Sequence, residues 1–332
     1  MVNDLMNGWV LLDDNTASAQ WNHWMSKLGR NCLYQTYEWG SYKQRSGQPQ
    51  LRLGFFTGPD NPQIVLQGHL KRVFGGLGVL WVPGGPTGDL ELLNQDGLQA
   101  IARIFGVRHL LIRSSLMSER NAKDVTALRR LGHRESKRKI NSGLSMWLSI
   151  PPELGEVLPA ASSNWKHNLR RGQKRAHVER IEKIDATEIA RTYRTLQETK
   201  GIGDQFSEAA IRSMIAEFGD RLIAYGSRDA QGKLVAVRAC ICIGSTGWDI
   251  WAASTEEARR NYASHVLLEN LIKACQQHGM TAYDLSGIDP QKAVGVYNFK
   301  KGTGARHVEY LGEWDLGPRW LGRMLDTYLS VR

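Results

Sequence analysis

The strongest constraint on the fold is an order of elements that the chain carries twice. A helical segment stops at Phe105-Gly106, a strand runs to Ser115 and a further helix ends near Leu131-Gly132; downstream, His278-Gly279, a strand to Ser286 and a helix to Gly302 repeat that order. Glycine just past the last periodic residue is a usual helix stop, because it enters the left-handed region without a Cβ penalty. So long a period excludes a solenoid, whose units recur every about 20 to 50 residues. It predicts two copies of one α/β unit, and 332 residues are enough for two cores of ordinary size. The basic, glycine-containing stretch from Leu131 to Gly143 is the natural boundary, so the expected domains are 1–142 and 143–317, followed by a helix over 318–331.

Local patterns fill in the units. Leu51 to Phe56 and Gln63 to Val73 read as strands joined by the turn Gly58-Pro59-Asp60-Asn61-Pro62, with Gly78 to Val82 as another. A helix from about Asn94 to Phe105 leads into a strand from Arg108 to Arg113. From Tyr262 to Gln277 the apolar residues Val266, Leu267, Leu271, Ile272 and Cys275 recur at helical spacing. Next comes TAYDLSGIDPQKAVGVYNFKKGTG, Thr281 to Gly304, in which an apolar strand ends at Asp284 and a short helix presents Phe299-Lys300-Lys301 before a glycine turn. The carboxyl ends of strands are where open α/β sheets place ligands.

A net charge of +10 predicts attraction to polyanions: nucleic acid, nucleotide-linked substrates or an anionic membrane face. Ser162 and Ser163 can cap a helix through Trp165 to Ala176, in which Lys166, Arg170 and Lys174 fall at i, i+4 and i+8 beside Arg171 and Arg175. With no intervening acid, this stripe suits phosphate contacts, and it equally suits a solvated face. Of the four cysteines, Cys240 and Cys242 alternate along a strand and point the same way, but two ligands are not a zinc set. Cys32, Cys240, Cys242 and Cys275 are therefore expected to be reduced core thiols, with no metal. No apolar run approaches the about 18 residues of a membrane span, and Met1 to Asp14 lacks a secretory pattern; a soluble, cytoplasmic protein is expected. Neither a Gly-x-Ser-x-Gly turn nor a recognised Cys nucleophile context stands out.

Three segments, in order, resemble the Fem family, the FemABX-type aminoacyltransferases, which attach amino acids from aminoacyl-tRNA to peptidoglycan precursors. YQTYEWGSYKQRSG, Tyr34 to Gly47, is similar to the family's Gln-x-x-x-Trp-x-x-x-Lys stretch before a Gly. WVPGGPTG, Trp81 to Gly88, resembles its strand ending in Pro-x-Gly-Pro, with Gly85 where an arginine is common. QHGMTAYDLSG followed by FKKGTG resembles its Phe-Lys-x-x-Phe-Gly region, with Thr303 where an aromatic residue is usual.

The resemblance implies two tandem GNAT-like acyltransferase domains, each a mixed α+β sheet flanked by helices; no segment of unbroken heptads predicts the long helical hairpin of some members. It also implies that helix 318–331, with Trp320, Leu321, Met324, Leu325 and Tyr328 at helical spacing, packs back on the first domain. The implied reaction moves an amino acid from aminoacyl-tRNA to an amine of a nucleotide- or lipid-linked muropeptide or a related small peptide. A monomer is expected, needing no cofactor beyond the aminoacyl-tRNA and touching the inner membrane face peripherally. By resemblance Lys300 meets the tRNA terminus or the developing negative charge, with Phe299 packed beside it. Lys43, on one helix face with Trp39, would hold an acceptor phosphate, Arg212 and Tyr262 are further acceptor candidates, and the basic helix would meet tRNA. Asp89 and Asp284 are candidate bases, though each reads as well as a turn acid bonding the backbone.

Two competing readings stay open. An acyl-coenzyme A-dependent N-acyltransferase would share the fold and place pyrophosphate at a helix N-terminus through an Arg/Gln-x-x-Gly-x-Gly/Ala turn. The equivalent Arg260-Asn261-Tyr262-Ala263-Ser264-His265 fills both glycine positions, and Tyr262 and His265 would crowd the backbone. The other is an inactive RNA- or membrane-surface binding module.

Overall fold

The computed structural model describes residues 8–29, 32–153, 155–200 and 207–330. The chain divides into two compact units, Met1–Gly143 with Glu309–Arg332, and Leu144–Val308. The first opens with β1 (Gly8–Leu11), α1 (Asp14–Lys27), α2 (Tyr37–Arg45), β2 (Leu51–Phe56), β3 (Pro62–Val73), β4 (Leu77–Pro83) and β5 (Thr87–Gly88). It continues with α3 (Gln95–Ile104), β6 (His109–Glu119), α4 (Ala122–Arg130) and β7 (Arg134–Glu135). The second holds β8 (Leu144–Ser149), α5 (Ser163–Arg175), β9 (His177–Arg180), α6 (Ala186–Lys200), α7 (Glu208–Phe218) and β10 (Leu222–Arg228). After these come β11 (Leu234–Ile243), β12 (Thr246–Ser254), α8 (Glu256–Arg260), α9 (Ala263–Gln277), β13 (Ala282–Asp284) and α10 (Val294–Gly302). β14 (Arg306–Leu316) and α11 (Arg319–Ser330) return to the first unit from Glu309 onward.

In the first unit the strands run β1-β2-β3-β4-β6-β14 and only β4 and β6 are parallel. A parallel pair needs a crossover, and α3 supplies it, burying Leu98 and Ile101 against Leu80, Leu110 and Ile112. In the second unit the order is β8-β13-β12-β11-β10-β9, and only β12 and β13 are parallel. Here α9 is the crossover, with Leu268, Leu271 and Ile272 in the core beside Tyr283 and Leu285. The repeated helix, glycine and strand of the sequence are these two crossovers and the strands they feed.

Two boundaries differ from expectation. β6 runs past Arg113 to Glu119, because β14 pairs along it from Leu316↔Ile112 to Tyr310↔Glu119. The same pairing draws residues from Glu309 on into the first unit, although the sequence assigned them to 143–317. α11 also belongs to that unit, and of its apolar row only Leu321 is fully buried, with Leu325 half-buried. Leu321 and Gly322 are buried and Asp326 reaches Arg113 at 3.0 Å, whereas Trp320, Met324 and Tyr328 stay 44%, 51% and 42% exposed. Val331 and the opening residues 1–7 lie outside the described residues.

Candidate active site

β12 continues to Ser254, but its parallel neighbour β13 stops at Asp284, opposite Trp248. The outer half of β12 is thus unpaired on that side, and a cleft of about 510 Å³ opens there. Arg238, Asp249, Tyr262, His265, Phe299 and Lys300 are among its lining residues, all in the second unit.

Lys300 is 7% exposed and its position is over-determined. Its Nζ donates to the carbonyls of Gly287 (2.9 Å) and Ser286 (3.2 Å), and an ammonium has three N–H bonds, so one is left for the cleft. Those carbonyls are aimed by Ser286, whose φ of 64° is left-handed and unusual for a residue with a Cβ. Asp284 holds that conformation, accepting from the Ser286 N–H at 2.8 Å and from the Ser145 hydroxyl, while Ser286 Oγ donates to the Asp249 carbonyl. The buried Asp284 therefore builds the lysine's seat and is not among the cleft-lining groups. Burial draws the Lys300 pKa down to about 8, against the pull of Asp249 and Asp284 and with help from Arg238.

The end of α10 explains the glycine turn. Thr303, fully buried, donates its hydroxyl to the Lys300 carbonyl at 2.5 Å and accepts from Ala305 N–H at 3.2 Å, so a short polar residue closes the helix where an aromatic one was expected. Gly304 has φ of 80°, and a Cβ there would lie 2.4 Å from the Ala160 carbonyl oxygen. Any side chain would push α10, and Lys300 with it, off its support.

Arg238 and Asp249 escaped the sequence reading. They form a buried two-point pair, Nε to Oδ1 at 2.9 Å and Nη2 to Oδ2 at 2.7 Å, and Tyr283 Oη donates to the same Oδ1 at 3.0 Å. A bulge makes the pair possible. Ala239 faces Trp251 and Cys240 faces Asp249, so Ile250 is extra, and the slip turns Asp249 onto the face that carries Arg238. The available signal was one charged residue in each of two otherwise apolar strands, LVAVRACICI and TGWDIWAAS.

Around this pair the walls are aromatic. The His265 ring lies 5.0 Å from Phe299 and 4.9 Å from Trp165, and burial draws its pKa down to about 4, so it is neutral at physiological pH. Tyr262 was expected to open a helix. It instead precedes α9 in a left-handed conformation (φ 58°), with Arg171 over its ring at 4.6 Å. Gly172 of α5 sits against the Tyr262 carbonyl, where a Cβ would come within 2.8 Å.

The other expected residues are dispersed. Arg212 is exposed on α7, bonded to Glu208 at 2.5 Å, and does not line the cleft. Asp89, in the first unit, caps a one-turn 3₁₀ helix by accepting from Glu91 N–H at 2.9 Å. Lys43, also there, lies 5.2 Å from the Trp39 ring and 5.0 Å from the Tyr42 ring; burial lowers its pKa, and among the described residues no carboxylate pairs with it. On α5, Lys166 is tied to Glu156 at 2.8 Å, an acid that the helix sequence did not reveal, while Arg170, Lys174 and Arg175 are exposed.

Two mixed sets of strands, each with one parallel pair bridged by a helix, make a tandem GNAT-like fold. A solved tandem GNAT protein from the clavulanic acid biosynthesis pathway superposes with a TM-score of 0.54 at 14% identity, covering 93% of this chain and 98% of that one. The crystal structure of FemX superposes with a TM-score of 0.78 at 17% identity, covering 96% and 99%. The FemAB family model matches residues 163–328, half of the chain, and the chain belongs to the FemAB family. A stretch of 104 residues is also 27% identical to the lipid II:glycine glycyltransferase of Staphylococcus saprophyticus, covering 30% of this chain and 25% of that protein's length.

Proposed function

We propose that the protein is a cytoplasmic aminoacyltransferase that moves an amino acid from aminoacyl-tRNA to an amine of a peptidoglycan precursor or a related small peptide. The observation that carries this reading is Lys300: a buried ammonium held by two carbonyls, with its remaining N–H directed to a cleft. The acceptor amine attacks the ester carbonyl, the carbonyl oxygen becomes an oxyanion, and the carbon–oxygen bond to the ribose then breaks as a proton lost by the attacking nitrogen ends on the leaving ribose oxygen. A fixed, buried cation lining the cleft stabilises the oxyanion and the departing alkoxide without reorganising. No covalent enzyme intermediate and no further cofactor is needed.

Charge matters in this scheme, so pH should too. With a Lys300 pKa of about 8, kcat/KM is expected to be level below pH 8, as far as this group governs it, and to fall about tenfold per pH unit above. A pH profile checks this, and in Lys300→Arg the alkaline limb should move out of range; an unchanged limb would assign it to another group.

Two features favour tRNA as donor over an acyl thioester: an obstructed helix end and a cationic face. The left-handed Tyr262, its carbonyl pressed on Gly172, and the His265 ring occupy the end of α9 where a pyrophosphate would lie. Arg170, Lys174 and Arg175 leave an uncompensated cationic face on α5, since among the described residues no carboxylate pairs with them. Replacing these three with alanine is expected to weaken tRNA binding and to reduce the slope of log K against log salt by about two to three, as read by filter binding across a salt series.

For the acceptor, the similarity to a lipid II:glycine glycyltransferase supports a muropeptide. A half-buried Lys43 beside two adjoining aromatic rings suits a phosphate of a nucleotide- or lipid-linked muropeptide. The exposed row Trp320, Met324 and Tyr328, flanked by Arg319 and Arg323, suits peripheral contact with an anionic membrane face. No helix among the described residues is long and apolar enough to cross a membrane.

The deciding experiment incubates the protein with a pool of labelled aminoacyl-tRNAs and nucleotide- or lipid-linked muropeptides, with acyl-coenzyme A thioesters in parallel. Label passing from tRNA to an amine is the expected result. Transfer from the thioester alone would replace this reading, and binding of tRNA without transfer would leave only a binding module.

A further inference from the structure

β11 and α9 bring together three thiols that the reaction does not use. Cys240 and Cys242 continue the face of β11 that carries Arg238, and Cys275 meets them from α9. The Sγ atoms of Cys240 and Cys275 are 3.5 Å apart, those of Cys242 and Cys275 are 4.0 Å apart, and all three lie within 4.8 Å of one another. Cys240 and Cys275 are fully buried, whereas Cys242 is partly exposed.

The expectation of reduced core thiols covered all four cysteines, and its metal argument weighed Cys240 and Cys242 as a pair, because nothing in the sequence places Cys275 beside them. The spacing is the informative quantity. It is far longer than a disulfide, about 2.05 Å. It matches sulfur ligands around a soft ion, since a zinc–sulfur distance of about 2.3 Å sets tetrahedral ligands about 3.8 Å apart. Other side chains of this apolar core are Leu268, Leu271, Ile272 and Tyr283, so the polarisable atoms have gathered at one point.

We propose that Cys240, Cys242 and Cys275 form a binding site for one thiophilic d¹⁰ cation, zinc being the divalent case, entered from the Cys242 side with water completing the fourth position. Binding replaces the thiol protons, released to solvent, with the charge of the ion, which offsets the cost of three buried thiolates. The ion ties β11, which carries Arg238, to α9, which carries His265, so it braces two walls of the cleft from behind without touching substrate.

The test uses the full chain, reduced, stripped with a chelator and kept anaerobic, and titrated with Co²⁺ and then Zn²⁺. The expected result is thiolate-to-cobalt charge-transfer absorption saturating at one equivalent and bleached by Zn²⁺. It should be absent in Cys242→Ala, at the partly exposed position where folding is least at risk, and unchanged in Cys32→Ala. Independently of any variant, one equivalent of Zn²⁺ should shield the cluster thiols of the wild-type chain from a thiol reagent. Absorption equally sensitive to Cys32→Ala, or no charge-transfer band together with no shielding, would overturn the proposal.

Discussion

Lys300→Met is expected to lower turnover by about 10²- to 10³-fold, the usual loss when one fixed donor to a developing oxyanion is removed, and to leave the protein folded. Both halves of that expectation come from the same burial. Below pH 8 the folded chain holds the ammonium in a poorly solvated seat, and the displacement from 10.5 to about 8 corresponds to about 3 kcal/mol against the charged form. Between about pH 8 and 10.5 the unfolded chain binds the proton more readily than the folded one, so this cost is present below pH 8 and relieved as pH rises through that window. Methionine removes the cost but leaves the Ser286 and Gly287 carbonyls without their donor, a loss of about 1–3 kcal/mol. The two nearly cancel, and stability at pH 7 should change by less than about 2 kcal/mol. Single-turnover transfer and urea denaturation on the same preparation separate the two quantities. Wild-type turnover in a folded variant would remove Lys300 from the chemistry; a variant that fails to fold would make its role structural.

Asp249→Ala should do the reverse, costing about 3–5 kcal/mol of stability as well as activity. Arg238 cannot shed its charge, is 4% exposed, and has both guanidinium contacts on Asp249. Removing the carboxylate strands that cation, and Tyr283 loses its acceptor too. The double variant Arg238→Met/Asp249→Leu should recover most of the lost stability, because an apolar pair of similar volume carries no desolvation cost, but not the activity, because the cleft then loses its polar wall. Urea midpoints of the three chains test this. A loss below about 1 kcal/mol in Asp249→Ala would mean that water reaches the pair.

Much of the architecture was legible because it is written locally. The strand Leu51–Phe56, the cap at Ser162 and the helices from Gln95 and Ala263 follow from periodicity, capping residues and glycine stops. What escaped depends on register and on partners distant in the chain. No local pattern shows that β12 slips by one residue to turn Asp249 toward Arg238, or that Cys275 meets Cys240. The row Trp320, Leu321, Met324, Leu325 and Tyr328 has the period of a buried face, yet Leu321 is buried while Trp320, Met324 and Tyr328 stay exposed. Lys300 was legible through the resemblance carried by FKKGTG; its seat was not, since it needs Ser286 in a conformation that side chains seldom adopt.

The first unit is assembled from two stretches of chain separated by the whole of the second. On the ribosome, β6 therefore emerges early with its β14 edge bare, and Arg113 waits for Asp315 and Asp326 while some two hundred intervening residues are made. The later-encoded unit is continuous and needs no residue of the earlier one to close, whereas the earlier one keeps a sticky strand uncovered until β14 has been made.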